Sequence, residues 1–141
     1  MRTPQTPELL VDTSAAVALI VEDHKYHRQA VRALGRLRLG LCGHAAFETF
    51  SVLTRLPPPA RRTPSTVQRI LADNFPSSCF LSPSGASALL GSLASKGVAG
   101  GAVYDALIGA AAVEHGITLA SRDERALDTY RALNVDVRFI V

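Results

Sequence analysis

Glu8-Leu9-Leu10-Val11-Asp12-Thr13-Ser14-Ala15-Ala16-Val17-Ala18-Leu19-Ile20-Val21 is the stretch that decides the fold. Its first residues form a short apolar run of buried-strand length, Glu8 to Val11, which stops at an acid and passes at once into a helical segment, Ser14 to Val21. The same pairing recurs downstream. A helix is predicted from about His24 to Arg36, with Ala30, Val31, Leu34 and Leu37 as its apolar face, followed by a strand at Leu39–Cys42. His44 to Leu56 reads as a helix stopped by Pro57-Pro58-Pro59. Ser65 to Phe75 reads as another, with Ser65 as its cap. Ser78–Leu81 is a candidate strand, and Ser84–Lys96 a small-residue helix ended by Gly97. Gly100-Gly101 opens a long helix, Ala102–His115, closed by Gly116. Ile117–Ala120 is then a strand, Arg122–Leu133 a helix and Val135–Val141 a last strand.

Short apolar strands separated by helices require crossover connections, and so a parallel sheet covered on both faces. The expectation is a single α/β domain over residues 8–141, with a central, mainly parallel sheet of four to five short strands and helices on both faces. Residues 1–7 are expected to form a flexible tail, and Pro57–Pro64 a surface loop rather than a boundary.

Composition agrees with one packed domain. The chain has 141 residues, 48% hydrophobic and 19% charged, enough apolar material for a core and too little charge for disorder. With no Trp, 5 Phe and 3 Tyr, aliphatic side chains must do most of the packing. Cys42 and Cys79 are too few for a disulfide framework or a four-cysteine zinc site, and buried reduced thiols are expected. The opening Arg2-Thr3-Pro4-Gln5-Thr6-Pro7 does not read as a signal peptide. The longest uncharged stretch, 74–95, holds two prolines and seven serines and is no membrane span. A cytoplasmic protein without a membrane partner is expected.

The net charge of +3 is unevenly spread: residues 1–69 carry +5 and residues 70–141 carry −2. Thirteen of the 15 basic residues are Arg, the side chain suited to bidentate contact with phosphate. Arg28, Arg32 and Arg36 fall on one face of the predicted helix, in a run from Lys25 to Arg38 that contains no acid. Arg61 and Arg62 lie in the proline loop. These residues are candidates for tracking nucleic-acid phosphates; a solvated helix face is the alternative.

Four of the 12 carboxylates occupy related positions. Asp12 and Asp123 lie just past predicted strands, and Glu48 and Asp105 lie near the starts of helices. In an open parallel sheet the carboxyl ends of strands and the amino ends of the following helices share the edge where ligands bind. Each acid alone is explained by capping or by complementing a helix dipole. Asp105 fits that account least, because Tyr104-Asp105-Ala106-Leu107-Ile108-Gly109 is otherwise apolar, with no base within four positions. A carboxylate there needs a partner, and convergent acids repel unless protonated or bound to a cation. Hard oxygen donors suit Mg²⁺ or Mn²⁺.

Taken together, Leu10-Val11-Asp12-Thr13-Ser14-Ala15, Ala46-Phe47-Glu48-Thr49-Phe50, Gly101-Ala102-Val103-Tyr104-Asp105-Ala106 and Leu119-Ala120-Ser121-Arg122-Asp123 resemble the PIN-domain nucleases, specifically the VapC-type toxins of toxin–antitoxin pairs. The resemblance runs over about residues 8–141. It implies that Asp12, Glu48, Asp105 and Asp123 form an acidic quartet holding Mg²⁺, with Mn²⁺ as a substitute, and that Ser14 and Ser121 hydrogen-bond beside it. Residue 121 is Ser where the family more often has Thr, which keeps the hydroxyl. Residue 127 is Leu where an aromatic is common. The resemblance further implies endoribonuclease activity that inhibits translation and growth and leaves 5′-phosphate and 3′-hydroxyl ends. RNA, a cognate antitoxin and a second copy of the chain are the partners it implies.

Other chemistries find no support. There is no phosphate-binding G-x-x-x-x-G-K-[ST] loop, no G-x-S-x-G, and no second acid two residues after Asp12 of the kind an aspartyl-phosphate phosphatase uses. His24, His27, His44 and His115 receive no role. The alternative to the nuclease is a catalytically silent α/β module that binds RNA or protein and whose acids are helix caps.

Overall fold

The computed structural model describes residues 6–141. Four strands, β1 (Leu9–Val11), β2 (Leu39–Leu41), β3 (Leu119–Ser121) and β4 (Val137–Phe139), form one sheet in the order β2-β1-β3-β4. Every pair is parallel, with Leu10 opposite Gly40 on one side and Leu119 on the other. The helices are α1 (Thr13–Ile20), α2 (His27–Leu34), α3 (Ala45–Thr54), α4 (Pro64–Asn74), α5 (Pro83–Ser92), α6 (Ala102–His115) and α7 (Leu127–Ala132).

Alternation along β1 divides the core in two. Leu9 and Val11 point to one face, where Ala15, Ala16, Leu34 and Phe75 pack on them. Leu10 points to the other, against Ala45, Ile108, Ala111, Leu119 and Tyr130. Helices therefore cover both faces, and the strands are apolar throughout, as a doubly covered sheet demands. From β1 the chain goes outward to β2 and then returns to lay β3 and β4 on the opposite side. The strand order reverses between β1 and β3, so the crevice beyond their carboxyl ends is the position where ligands bind in such sheets.

Several element boundaries differ from the sequence expectation. Helix α1 ends at Ile20, one residue before the expected Val21, and α2 begins at His27 instead of His24, with His24 N–H bonded to the Val21 carbonyl and His27 N–H to that of His24 in the connection between them. Helix α2 ends at Leu34, and a tight turn from Leu37 N–H to the Leu34 carbonyl redirects the chain into β2. Arg36 consequently lies beyond the helix and off the stripe that carries Arg28 and Arg32. The cap of α4 is Thr63, whose hydroxyl accepts from Thr66 N–H, with Pro64 as the first helical residue in place of the expected Ser65 cap. The candidate strand 78–81 reduces to a single bridge, Cys42 to Cys79. The Ser78 hydroxyl takes the Leu41 N–H that a regular ladder would give to a carbonyl. Gly40 is required there, since a Cβ would come within 2.1 Å of the Ser77 carbonyl oxygen.

Helix α5 stops at Ser92, short of Lys96, and the expected helix over 122–133 is a 3₁₀ turn, Glu124–Ala126, followed by α7. Cys42 is buried with its thiol donating to the Ile108 carbonyl, whereas Cys79 is only half-buried. Of the expected tail, residues 1–5 lie outside the described residues. Pro7 is buried, and the Thr6 carbonyl accepts from Arg38 Nε.

Candidate active site

The crevice between β1 and β3 is tied together by hydroxyls. Asp12 follows β1 and caps α1, its Oδ1 accepting from Ala15 N–H at 3.0 Å and from the Ser14 hydroxyl at 2.6 Å. Ser14 Oγ in turn accepts the Arg122 N–H at 2.9 Å and lies 3.5 Å from Ser121 Oγ. The Ser121 hydroxyl accepts from Asp123 N–H at 3.1 Å. The turn after β1 and the turn after β3 are thus joined through two serines at the switch point.

Asp12 is 2% exposed, and burial raises its carboxyl above the usual range despite its hydrogen bonds. Its second oxygen accepts from the Tyr130 hydroxyl at 2.8 Å. Tyr130 is fully buried on α7, and its ring fits against α6 because residue 109 is Gly, where a Cβ would stand 3.2 Å from it. Sequence reasoning missed Tyr130. The available signal was a tyrosine on the apolar face 127–130–133, whose hydroxyl must find a partner once buried.

Glu48 stands in the first turn of α3, and its Oε1 accepts from the Thr13 hydroxyl at 2.8 Å. A cleft of about 390 Å³ opens beside this pair, walled by His44, Phe47, Ser51 and Arg55. Asp105, in the first turn of α6, accepts no hydrogen bond from any described residue. Its carboxyl is pushed up to about 6, first by burial and then by the negative charges of Asp123, Glu48 and Asp12; Arg125 only partly offsets this. Asp123 caps the 3₁₀ turn through Arg125 N–H and lies 3.6 Å from Arg125 Nε. All four acids therefore share one electrostatic neighbourhood. As they are placed, no three His, Cys, Asp or Glu side chains among the described residues stand in a ready-made metal cage. Asp105 senses the other three through charge rather than through shared contacts.

The basic candidates divide. Arg28 and Arg32 are exposed on α2, and Arg36 is exposed in the turn after it. Arg61 Nε donates to the Leu56 carbonyl and Arg62 Nη1 to the Ala60 carbonyl, so both help to shape their own loop. Two histidines serve the α1–α2 connection: His24 Nδ1 accepts from Tyr26 N–H, and His27 Nδ1 meets the Ala18 carbonyl at 2.9 Å. His44 stacks on Tyr104 with 5.1 Å between ring centres, beside the acids but outside the sequence expectation.

A family model described as "PIN domain" matches residues 9–132. Ribonuclease VapC27 of Mycobacterium tuberculosis is 45% identical over 131 residues, covering 93% of this chain and 96% of that one. Ribonuclease VapC40 of the same organism is 47% identical, covering 92% and 96%. Among solved structures, FitAcB from Neisseria gonorrhoeae superposes with a TM-score of 0.68 at 17% identity, over 92% of this chain and 95% of that chain. PAE2754 from Pyrobaculum aerophilum does so with 0.53 at 21%, over 89% and 87%. The structural likenesses bear on the fold alone.

Proposed function

The chain belongs to the PIN-domain family, and from that premise we propose that it is a Mg²⁺-dependent endoribonuclease, the toxin of a toxin–antitoxin pair. Its substrate is RNA, cut by water to leave a 5′-phosphate and a 3′-hydroxyl, with inhibition of translation and growth as the consequence. The observation that carries this reading is Asp105: a carboxylate without a hydrogen-bond partner among the described residues, raised to about 6 by burial and three neighbouring acids. A structural carboxylate is normally paired; one opposed by three others suits a cation.

Asp12, Glu48, Asp105 and Asp123 would hold the ion, and an all-oxygen donor set fits Mg²⁺, with Mn²⁺ able to substitute. When bound, such an ion lowers the pKa of water and stabilises charge on the phosphoryl oxygens. The chain's own residues set the geometry. Ser14, Ala15 N–H and Tyr130 fix the Asp12 carboxylate in one orientation, and Thr13 fixes Glu48. Ser121 holds the backbone that carries Asp123. Arg28, Arg32, Arg36, Arg61 and Arg62 are proposed to meet RNA phosphates, and the exposure of Arg28, Arg32 and Arg36 supports that part.

The capping alternative has a specific observation in its favour, since Asp12 and Asp123 do accept N–H groups at their turn starts. It does not account for Asp105, which caps nothing. Incubating purified protein with RNA separates the two. Cleavage is expected with Mg²⁺ or Mn²⁺, lost in EDTA, and reduced by about a hundredfold or more in Asp105→Asn, beyond the ~10–100-fold typical of residues that only orient metal ligands. Cleavage by Asp105→Asn at the wild-type rate returns the acids to capping. Co-expression of a cognate antitoxin is expected to relieve growth arrest caused by the chain alone; harmless expression of the folded protein in its native host without the antitoxin removes the toxin role.

A further inference from the structure

Arg122 has no role in the reading above, yet its surroundings are unusual. Its guanidinium carbon lies 3.7 Å from the centre of the Tyr26 ring and 4.9 Å from that of Phe139. The side chain therefore sits between the residue that precedes α2 and the last residue of β4. Its Nε is buried without a hydrogen-bond partner. No carboxylate among the described residues forms an ion pair with it, although Glu22 and Asp23 are exposed in the same α1–α2 connection. The Nη groups bond to no described residue and are not among the fully buried unpaired atoms.

Stacking on aromatic faces holds a guanidinium plane rigidly while leaving its edge of N–H donors open. An edge of that kind is matched by the paired oxygens of a phosphate. Position supplies the second argument. The Arg122 N–H is bonded to Ser14, which is bonded to Asp12, and the next residue is Asp123, so the backbone that carries the clamp also frames the acids. Lys25 Nζ lies 5.3 Å from the centre of the same Tyr26 ring, and α2 begins directly after Tyr26. Arg28 and Arg32 follow one helical turn apart, about 6 Å of rise. Arg122 and Lys25 thus share the Tyr26 ring at the start of α2, the helix that carries the exposed Arg28 and Arg32.

We propose that Arg122, held between Tyr26 and Phe139, is a positioning residue that anchors a phosphate of the RNA strand next to the scissile one and starts its path toward Arg28 and Arg32. The proposal rests on the ribonuclease reading and deepens it. Single-stranded chains lose about 0.7 from the slope of log affinity against log salt for each phosphate contact removed.

The test uses Asp105→Asn protein, so that RNA is not consumed, and follows binding of a fluorescein-labelled oligouridylate by anisotropy over a salt series. Adding Arg122→Gln is expected to flatten the slope by about 0.7 and, at ~0.1 M salt, to weaken binding about fivefold, the factor that slope implies. Its thermal midpoint should stay close to that of the parent. Arg122→Lys should keep the slope, because the charge remains, and lose affinity, because an ammonium offers no planar fork. An unchanged slope in Arg122→Gln overturns the anchor and leaves the nuclease reading standing. If Arg122→Gln does not fold, Arg122→Lys decides, and affinity equal to the parent's overturns the proposal. A parent that binds no oligouridylate at any salt concentration defeats the ribonuclease reading, and the anchor falls with it.

Discussion

Asp105 lies on a helix whose neighbouring side chains are apolar, half-buried and opposed by three acids, with its carboxyl pushed up to about 6 from an ordinary 3.8. Folding raises this pKa, so between about 4 and 6 the folded protein binds a proton that the unfolded chain has released. Its contribution to stability is therefore most favourable at low pH and declines as the pH rises through that window, opposite in sign to a salt-bridged aspartate. Asp12, also raised by burial, acts in the same sense. Glu114, held low by hydrogen bonds from Ser82, acts in the other, so the informative comparison is between variants. In EDTA, wild type should lose thermal stability from pH 4 to pH 6.5 relative to Asp105→Asn, and at pH 7 the variant should melt higher. Mg²⁺ should raise the wild-type midpoint more than the variant's. Parallel pH profiles for the two proteins would show that Asp105 carries no unrelieved charge.

At the scale of elements, helix ends show where local signals compete. Thr63 and Ser65 are both good caps in the sequence, two residues apart and flanking Pro64. Proline is tolerated in the first turn because its missing N–H has no helical partner there, which makes Thr63 the cap and Ser65 an ordinary first-turn residue. Thr63→Ala should cost about 1 kcal/mol of unfolding free energy in urea titrations, whereas Ser65→Ala should lie within about 0.5 kcal/mol of wild type. Equal losses would contradict the assignment. The end of α2 teaches the same lesson for function: Arg28, Arg32 and Arg36 are spaced for one face, but a helix that stops at Leu34 presents only the first two as a stripe.

For the molecule as a whole, no helix among the described residues is long and apolar enough to cross a membrane. The surface nevertheless exposes large apolar side chains, with Leu90 75% and Phe47 67% accessible, and Phe47 tilted against the exposed Phe80. Exposed apolar side chains of this size suit an interaction surface, and we propose that Leu90 on α5 contributes to a homodimer contact. Light scattering on the eluting peak should give twice the chain mass for wild type and a single chain mass for Leu90→Glu. A wild-type protein that stays at one chain mass at high concentration ends the dimer reading.

The alternation of short apolar runs with helical segments was enough to specify a parallel sheet covered on both faces, because burial on two faces removes polar residues from strands wherever they occur. The strand-end acids Asp12 and Asp123 were legible for a related reason: a polar residue within a few positions after such a run lies near a sheet edge. Glycine and proline marked Gly116 and the end of α3 through backbone sterics that act within a few residues. What the sequence could not determine depends on contacts between residues far apart in the chain. The adjacency of β1 and β3 creates the crevice. The Tyr130 hydroxyl reaches Asp12 from the far end of the chain. Arg122 is enclosed by Tyr26 and Phe139, which come from two other elements. Local periodicity says which face of an element is buried, but not against what; that is decided only when the elements pack.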